Sequence, residues 1–258
     1  MTGIMDEAFS RTGILIGSEG LARLASSRVA IFGLGGVGSW AAEGLARAGI
    51  GSFLLVDNDV VGLSNINRQV LALRSTVGRG KAEVMKERIL EINPDARVEA
   101  RQVFYSGETA DELLVEGLSY AIDAIDTIAS KLDLIMRASA KGIPMISAMG
   151  AGNKLDPTAF EVADIYDTSI CPLARVIRRE LRQRGLKGLK VVYSKEEPIE
   201  VDEAANPIKG VVVHPHSHQK ASVRRSMPGS VSFVPPVVGF IIAGEVVKDI
   251  LASRPFSL

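Results

Sequence analysis

The stretch RVAIFGLGGVGS, residues 28–39, constrains the fold of this chain more than any other. An apolar run leads into Gly33, Gly35 and Gly38 in GxGxxG spacing, and a helical pattern, SWAAEGLARAG, follows at once. An apolar run without alternation fits a strand buried on both faces. The glycines allow a tight turn and a close backbone approach to phosphate, which then meets the amide-rich helix N-terminus. Asp57, 19 residues beyond Gly38, closes a second apolar run, SFLLVD. A carboxylate there can accept hydrogen bonds from ribose hydroxyls. On these residues alone the expected nucleotide is NAD.

The alternation continues. Runs at 28–33, 52–57, 97–103, 120–126 and 144–150 read as strands, separated by the helical stretches SWAAEGLARAG, GKAEVMKERILEINP, GETADELLVEG and ASKLDLIMRASAKG. In the second of these Ala82, Met85, Ile89 and Ile92 share one face and Pro94 ends the helix. Such alternation predicts an α/β, Rossmann-like, doubly wound and mainly parallel sheet. After Asn153 the pattern loosens. FEVADIYD and LKVVYS read as strands, and CPLARVIRRELRQRG reads as a helix with Pro172 in its first turn. Residues 195–230 have the composition of a loop, and VVGFIIAGEVVKDIL reads as a buried amphipathic helix starting after Pro235-Pro236. The expectation is one domain over 1–258, with a nucleotide-binding core at about 10–150 and a C-terminal α/β elaboration at 151–258.

Thirty basic and thirty acidic residues cancel, so any basic footprint must be local. A single cysteine excludes an internal disulfide and any Cys-x-x-Cys zinc site, and suits a reducing cytoplasm. The acidic start MTGIMDEAFSRTG is no signal peptide, and the closing helix is too short and too charged to span a bilayer. A cytoplasmic protein without a membrane partner is expected.

The residues after Asp57 change the nucleotide expected. Ser64, Asn65, Asn67 and Arg68 follow within eleven positions, and Lys81 comes soon after. Backbone amides suffice for a pyrophosphate, whereas a triphosphate carries more charge and needs cations such as Arg68 and Lys81. Taken alone, a solvated polar loop accounts for them equally well. AIDAID then places Asp123 and Asp126 near the carboxyl end of the fourth strand, where open α/β sheets bind ligands. A carboxylate facing phosphates makes sense with Mg²⁺ between them. Capping of the following helix explains one of the two acids.

Together GLGGVGS, VDNDVVGLSNINRQ, VGRGKAE, INP and DAID resemble the ubiquitin-activating-enzyme-like (ThiF/MoeB/HesA) adenylating superfamily over about residues 10–150. The resemblance implies that a substrate carboxylate attacks the α-phosphate of Mg·ATP and pyrophosphate leaves. It implies that Gly33, Gly35, Gly36 and Gly38 border the nucleotide and that Asp57, with Asp59 beside it, holds the ribose. Ser64, Asn65, Asn67, Arg68 and Lys81 would serve the phosphates, and Asp126, with Thr127 beside it, would hold Mg²⁺. It further implies a homodimer in which Arg11 reaches the partner's site, and a monovalent cation (Na⁺ or K⁺). Fixed cations then stabilise the charge that grows on the phosphate oxygens.

Within that superfamily VGSWAAEGLARAGIG, NRQVLALRSTVGRGKAEVMKERILEINP, GAGNKLDPT and CPLARVIRRELRQRG resemble the tRNA threonylcarbamoyladenosine dehydratase branch. Its substrate is a tRNA carrying threonylcarbamoyladenosine, whose carboxylate is adenylated before the modification's own nitrogen closes a ring. The alternatives are an adenylyltransferase for a ThiS- or MoaD-type sulfur-carrier protein and an NAD-binding oxidoreductase. The lone Cys171 reads as a structural thiol, which favours direct cyclisation, although a sulfur-transfer partner remains compatible with the sequence.

An RNA substrate needs a basic surface. Arg175, Arg178, Arg179, Arg182, Arg184, Lys187 and Lys190 crowd one stretch, and Lys220, Arg224 and Arg225 form another. A solvated helix face is the common alternative for such runs. His214, His216 and His218, the only histidines, sit in a polar loop without the usual spacing of metal ligands.

Overall fold

The computed structural model describes residues 7–201 and 228–252. Helix α1 (Ser10–Ser26) leads into β1 (Arg28–Phe32), α2 (Gly38–Ala48), β2 (Ser52–Val56), α3 (Lys81–Ile92) and β3 (Arg97–Arg101). Next come α4 (Ala110–Leu113), β4 (Tyr120–Asp123), α5 (Ile128–Ala140) and β5 (Met145–Ala148). The second half supplies β6 (Phe160–Asp164), α6 (Pro172–Gln183), β7 (Lys190–Ser194) and α7 (Val234–Ala252).

Among the described residues seven strands form one sheet in the order β3-β2-β1-β4-β5-β7-β6. All pairings are parallel except that of the edge strand β6, which runs antiparallel to β7. The fold is the α/β, mainly parallel architecture that the strand–helix alternation predicts, and β6, α6, β7 and α7 are the C-terminal α/β elaboration. At the centre Ile31 pairs with Leu55 on one side and Ile122 on the other, all three fully buried. The edges carry the polar residues, as Glu99 of β3 shows by bonding Arg28 and Arg101. Strand order reverses between β1 and β4, the switch point beyond whose strand ends open α/β sheets place their ligand crevice.

One face of the sheet is covered by α2, α3 and α7, which pack Leu45, Met85 and Val238 onto Ile31, Leu55 and Ile122. The other face meets Leu113, Leu134 and Tyr105, then α6 with Ile177 and Leu181. Buried Glu43 ties α2 to α3 by accepting hydrogen bonds from Arg47 and Arg88.

Several boundaries depart from the sequence reading, each for a local reason. The third and fourth strands stop at Arg101 and Asp123, short of 103 and 126. Asp123 ends its strand because its carboxylate accepts the Ile125 N–H at 3.1 Å and turns the chain. The helix expected over 107–117 shrinks to one turn, and the strand expected over 160–167 gives way to a 3-10 turn at Ile165–Asp167. Helix α7 begins at Val234, so Pro235 and Pro236 lie inside its first turn, where no intrahelical N–H is needed. It is apolar on most sides rather than strongly amphipathic: Val238, Ile242, Val246 and Ile250 pack on α2 and the sheet, while Phe240 stays half-exposed on the other face.

Helix α1 was not legible in the sequence. Gly17, at φ +73°, breaks it into two pieces, which disrupts the 3.6-residue period. The loop expected over 195–230 falls mostly outside the described residues. No helix among the described residues is long and apolar enough to cross a membrane.

Candidate active site

The glycine loop fills the turn between β1 and α2 and needs its glycines for different reasons. Gly33 has φ +89°, and a side chain there would lie 2.7 Å from the Ala124 carbonyl oxygen. At Gly38 it would lie 1.8 Å from the Gly33 carbonyl oxygen. These two positions let the helix close onto the strand. Gly35 instead faces open space, and Gly36 is flanked by Pro235 and the Arg68 side chain.

Asp57 lies directly beyond β2. Its Oδ2 accepts the Leu34 N–H at 2.6 Å and its Oδ1 the Asp59 N–H at 2.8 Å. The carboxylate is thus fixed to the glycine loop, with lone pairs remaining for two hydroxyls. Burial raises its pKa above the usual carboxylate value, against the opposing pull of the Lys81 charge and the two N–H donors. Lys81, buried at the start of α3, donates from Nζ to Asp59 Oδ2 at 2.9 Å. The resemblance assigns Lys81 to the phosphates; in the structure its ammonium lies beside Asp57 and Asp59.

The polar loop folds onto the glycine loop. Asn65 Oδ1 accepts the Gly62 N–H at 2.9 Å, and Trp40 Nε1 on α2 donates to the Arg68 carbonyl at 2.9 Å. The Arg68 guanidinium donates to the Ser64 carbonyl at 3.0 Å and to Asn67 Oδ1 at 2.9 Å, and makes no ion pair among the described residues. Burial lowers its pKa, so it has lost hydration that an anion beside it would restore. Ser64 is exposed, and Asn67 Nδ2 donates to the Ser230 carbonyl at 2.9 Å.

The two aspartates of AIDAID have separate fates. Asp123 is fully buried and accepts from Lys131 Nζ at 2.7 Å and Ser147 Oγ at 2.5 Å. The Lys131 ammonium also donates to Ser147 Oγ and to the Ala148 carbonyl. Asp126 is exposed, and its Oδ1 accepts from the Thr127 hydroxyl at 3.3 Å. Among the described residues no cluster of three or more potential ligand side chains could hold a metal. One open carboxylate fits Mg²⁺ carried by phosphates, which needs few protein ligands; Asp126 would hold it, with Thr127 alongside.

Strand register brings the glycine loop, Asp57 and the Asp126 turn to one end of the sheet, since Phe32 pairs with both Val56 and Asp123. Arg11 is not brought there. Phe9 packs on Gly49, at the far end of α2 from the loop, about 16 Å along the helix.

Helix α6 buries Ala174, Ile177 and Leu181 and presents Arg175, Arg178, Arg179, Arg182 and Gln183 around a concavity of ≈ 380 Å³. Arg178 is anchored, donating to the Thr168 carbonyl at 2.5 Å and hydroxyl at 2.7 Å. Arg182 lies over the Tyr166 ring at 5.3 Å, while Arg179 and Arg184 share Glu180. Lys187 is exposed, and Lys190 turns away to Asp249 and Glu245. Lys220, Arg224, Arg225 and the three histidines lie outside the described residues.

The sequence reading missed Lys131, Ser147 and Asn153. A lysine five residues after Asp126 on the apolar face of a helical pattern was the available signal for the first. Nothing in the sequence marked the other two.

The ThiF family model matches residues 9–257. The tRNA threonylcarbamoyladenosine dehydratase of Bacillus subtilis (strain 168) is 47% identical over 246 residues, covering 94% of this chain and 94% of that protein. A crystal structure of the Escherichia coli tRNA N6-threonylcarbamoyladenosine dehydratase in complex with ATP superposes with a TM-score of 0.82 at 35% identity, covering 96% of this chain and 97% of the other. The sulfur carrier protein ThiS adenylyltransferase of Escherichia coli (strain K12) is 35% identical over 142 residues, which is 54% of this chain and 56% of that protein. By this match along nearly its whole length, the chain belongs to the ThiF family.

Proposed function

We propose that this protein is an ATP-dependent tRNA threonylcarbamoyladenosine dehydratase. The observation that carries the reading is the similarity to dehydratases of that name from end to end, against a match to a carrier adenylyltransferase over about half the chain. The nucleotide crevice supports it. Asp57 offers ribose acceptors beside the glycine loop, and Arg68 waits there without a carboxylate partner among the described residues.

The substrate carboxylate oxygen bonds to the α-phosphorus of ATP, and the bond to pyrophosphate breaks. Arg68 stabilises the charge on the phosphate oxygens, and the Gly33–Gly38 amides hold the chain against them. Mg²⁺ held at Asp126 would neutralise further phosphate charge. A nitrogen of the modification then attacks the activated carbonyl and loses its proton, and AMP departs. The sum is loss of one water from the nucleoside. Ring closure within one molecule needs no protein nucleophile. Cys171 fits that economy, being buried among Met149, Ile135 and Ile177. A folded Cys171→Ser enzyme therefore keeps most of its activity.

A homodimer completes the site by Arg11 from the partner. Ile14 and Leu15, beside Arg11 on α1, are 82% and 86% exposed, which suits an apolar contact between copies. The arginine face of α6 is the tRNA-facing surface, the two halves act as one domain, and the protein works in the cytoplasm.

The deciding experiment incubates the protein with Mg·ATP and tRNA bearing threonylcarbamoyladenosine, followed by nucleoside mass spectrometry. A product lighter by one water, absent without ATP, is expected. Unchanged nucleoside with formation of a carrier-protein adenylate would transfer the protein to the other reading.

A further inference from the structure

Asn153 stands at a junction that the nucleotide crevice depends on. It is one of two non-glycine residues with positive φ among the described residues, at +55°, a conformation that asparagine tolerates better than most. Its backbone N–H donates to the Gly229 carbonyl at 2.8 Å, and its Oδ1 accepts the Gly229 N–H at 2.6 Å. Its own carbonyl accepts the Ile199 N–H at 2.8 Å. All its hydrogen-bonding effort on that side goes into holding Gly229.

The next residue explains why this matters. The Ser230 carbonyl accepts from Asn67 Nδ2 at 2.9 Å, and Asn67 Oδ1 in turn accepts from the Arg68 guanidinium at 2.9 Å. Five residues on, Pro235 sits against Gly36, which also touches the Arg68 stem. Residues 229–235 thus run from Asn153 past Asn67 to the glycine loop. The Asn67 amide is the only group in this relay that faces both ways, with its nitrogen on Ser230 and its oxygen on Arg68.

We infer that Asn153 is a positioning residue for Arg68: by clamping Gly229 it sets the Ser230 carbonyl, which orients the Asn67 amide, which aims the guanidinium along the glycine loop. The inference rests on the reading of Arg68 as a phosphate-binding group. It requires no contact between Asn153 and any substrate.

A double-mutant cycle on the full-length protein tests it, with Mg·ATP affinity measured by titration calorimetry. Asn153→Gly keeps the positive φ and removes the side-chain acceptor; Asn153→Asp keeps both the acceptor and tolerance of that φ. Asn153→Gly is expected to weaken ATP binding roughly 3- to 10-fold, the effect of one lost hydrogen bond. Asn153→Asp is expected to stay within about twofold of the parent. In an Arg68→Ala background the glycine variant is expected to add nothing. An equal loss in both backgrounds overturns the inference, because the effect then bypasses Arg68. So does an unchanged affinity in Asn153→Gly while Arg68→Ala is weakened. If Arg68→Ala itself binds ATP normally, the phosphate role of Arg68 falls and the relay with it; a lack of dehydration despite normal ATP binding in the parent would instead count only against the proposed substrate. Thermal midpoints of all variants separate misfolding from mispositioning.

Discussion

Lys81 is bound to Asp59 twice: its backbone N–H donates to the Asp59 carbonyl at 3.0 Å, and its ammonium donates to the Asp59 carboxylate at 2.9 Å. The double tie anchors the start of α3 beside Asp57 and Asp59. It also sets the charge felt by Asp57, whose carboxyl burial raises and Lys81 lowers. Ribose hydroxyls need acceptors, so ATP affinity falls as pH drops through the Asp57 pKa. Lys81→Met removes the lowering charge, and the fall then begins at higher pH. Titration of ATP from neutral pH down towards the ordinary aspartate range checks this. A uniform loss at every pH would assign Lys81 to the phosphates instead.

Lys131 lies fully buried with Asp123 and Ser147 under the crevice. Lys131→Met leaves a buried carboxylate without its countercharge and is expected to cost about 3–5 kcal/mol of stability. Ser147→Ala removes one of several donors to Asp123 and should cost only about 1–2 kcal/mol. Denaturant unfolding of both variants checks the ordering, and a larger loss for Ser147→Ala would contradict it.

Gly35 and Gly38 separate binding from folding. A methyl at Gly38 would strike the Gly33 carbonyl, whereas at Gly35 it projects into open space. Gly38→Ala should therefore lose more than about 2 kcal/mol of stability. Gly35→Ala should unfold like the parent yet bind ATP weakly, because the new methyl occupies the approach of the phosphates. Thermal melts with and without ATP show which of the two losses each variant suffers.

The arginines of α6 are predicted to differ among themselves. Arg179→Ala and Arg182→Ala should weaken tRNA binding and reduce its salt dependence by about one phosphate contact each, without changing ATP affinity. Arg178 also holds the Thr168 turn, so Arg178→Ala should lower the melting temperature as well. Binding curves at several salt concentrations, beside melts of the same variants, distinguish the three.

Arg11 is predicted to act across a dimer. Arg11→Ala and Asp126→Ala are each expected to be inactive alone, and their mixture to regain part of the activity in heterodimers that carry one intact site. Dehydration assays on verified heterodimers decide the matter, and no recovery there rules out the partner role.

The central β-strands were legible because buried parallel strands leave continuous apolar runs, and the glycine spacing marks the loop by steric need. The identical Asp letters of AIDAID were less transparent. Both lie near the end of one strand, yet Asp123 turns inward to Lys131 and Asp126 outward, a difference set by residues 131 and 147 that local pattern does not reach. Charge and the family resemblance point Lys81 to the phosphates; neither shows its hydrogen bond to Asp59, a partner 22 residues earlier. Asn153 was invisible for the same reason. Its partners are Ile199 and Gly229, and contacts at that separation leave no periodic trace.

Helix α7 presses Gly239 against the Val37 carbonyl and sets Pro235 on Gly36, so the glycine loop takes one wall from the last helix described. Translation delivers that wall late. While the chain is being synthesised, the loop and its strand leave the ribosome before α7, which shares with α2 and α3 the covering of their apolar face. A chain stopped before Val234 therefore lacks one wall of the glycine loop and is expected to bind ATP more weakly than the full chain.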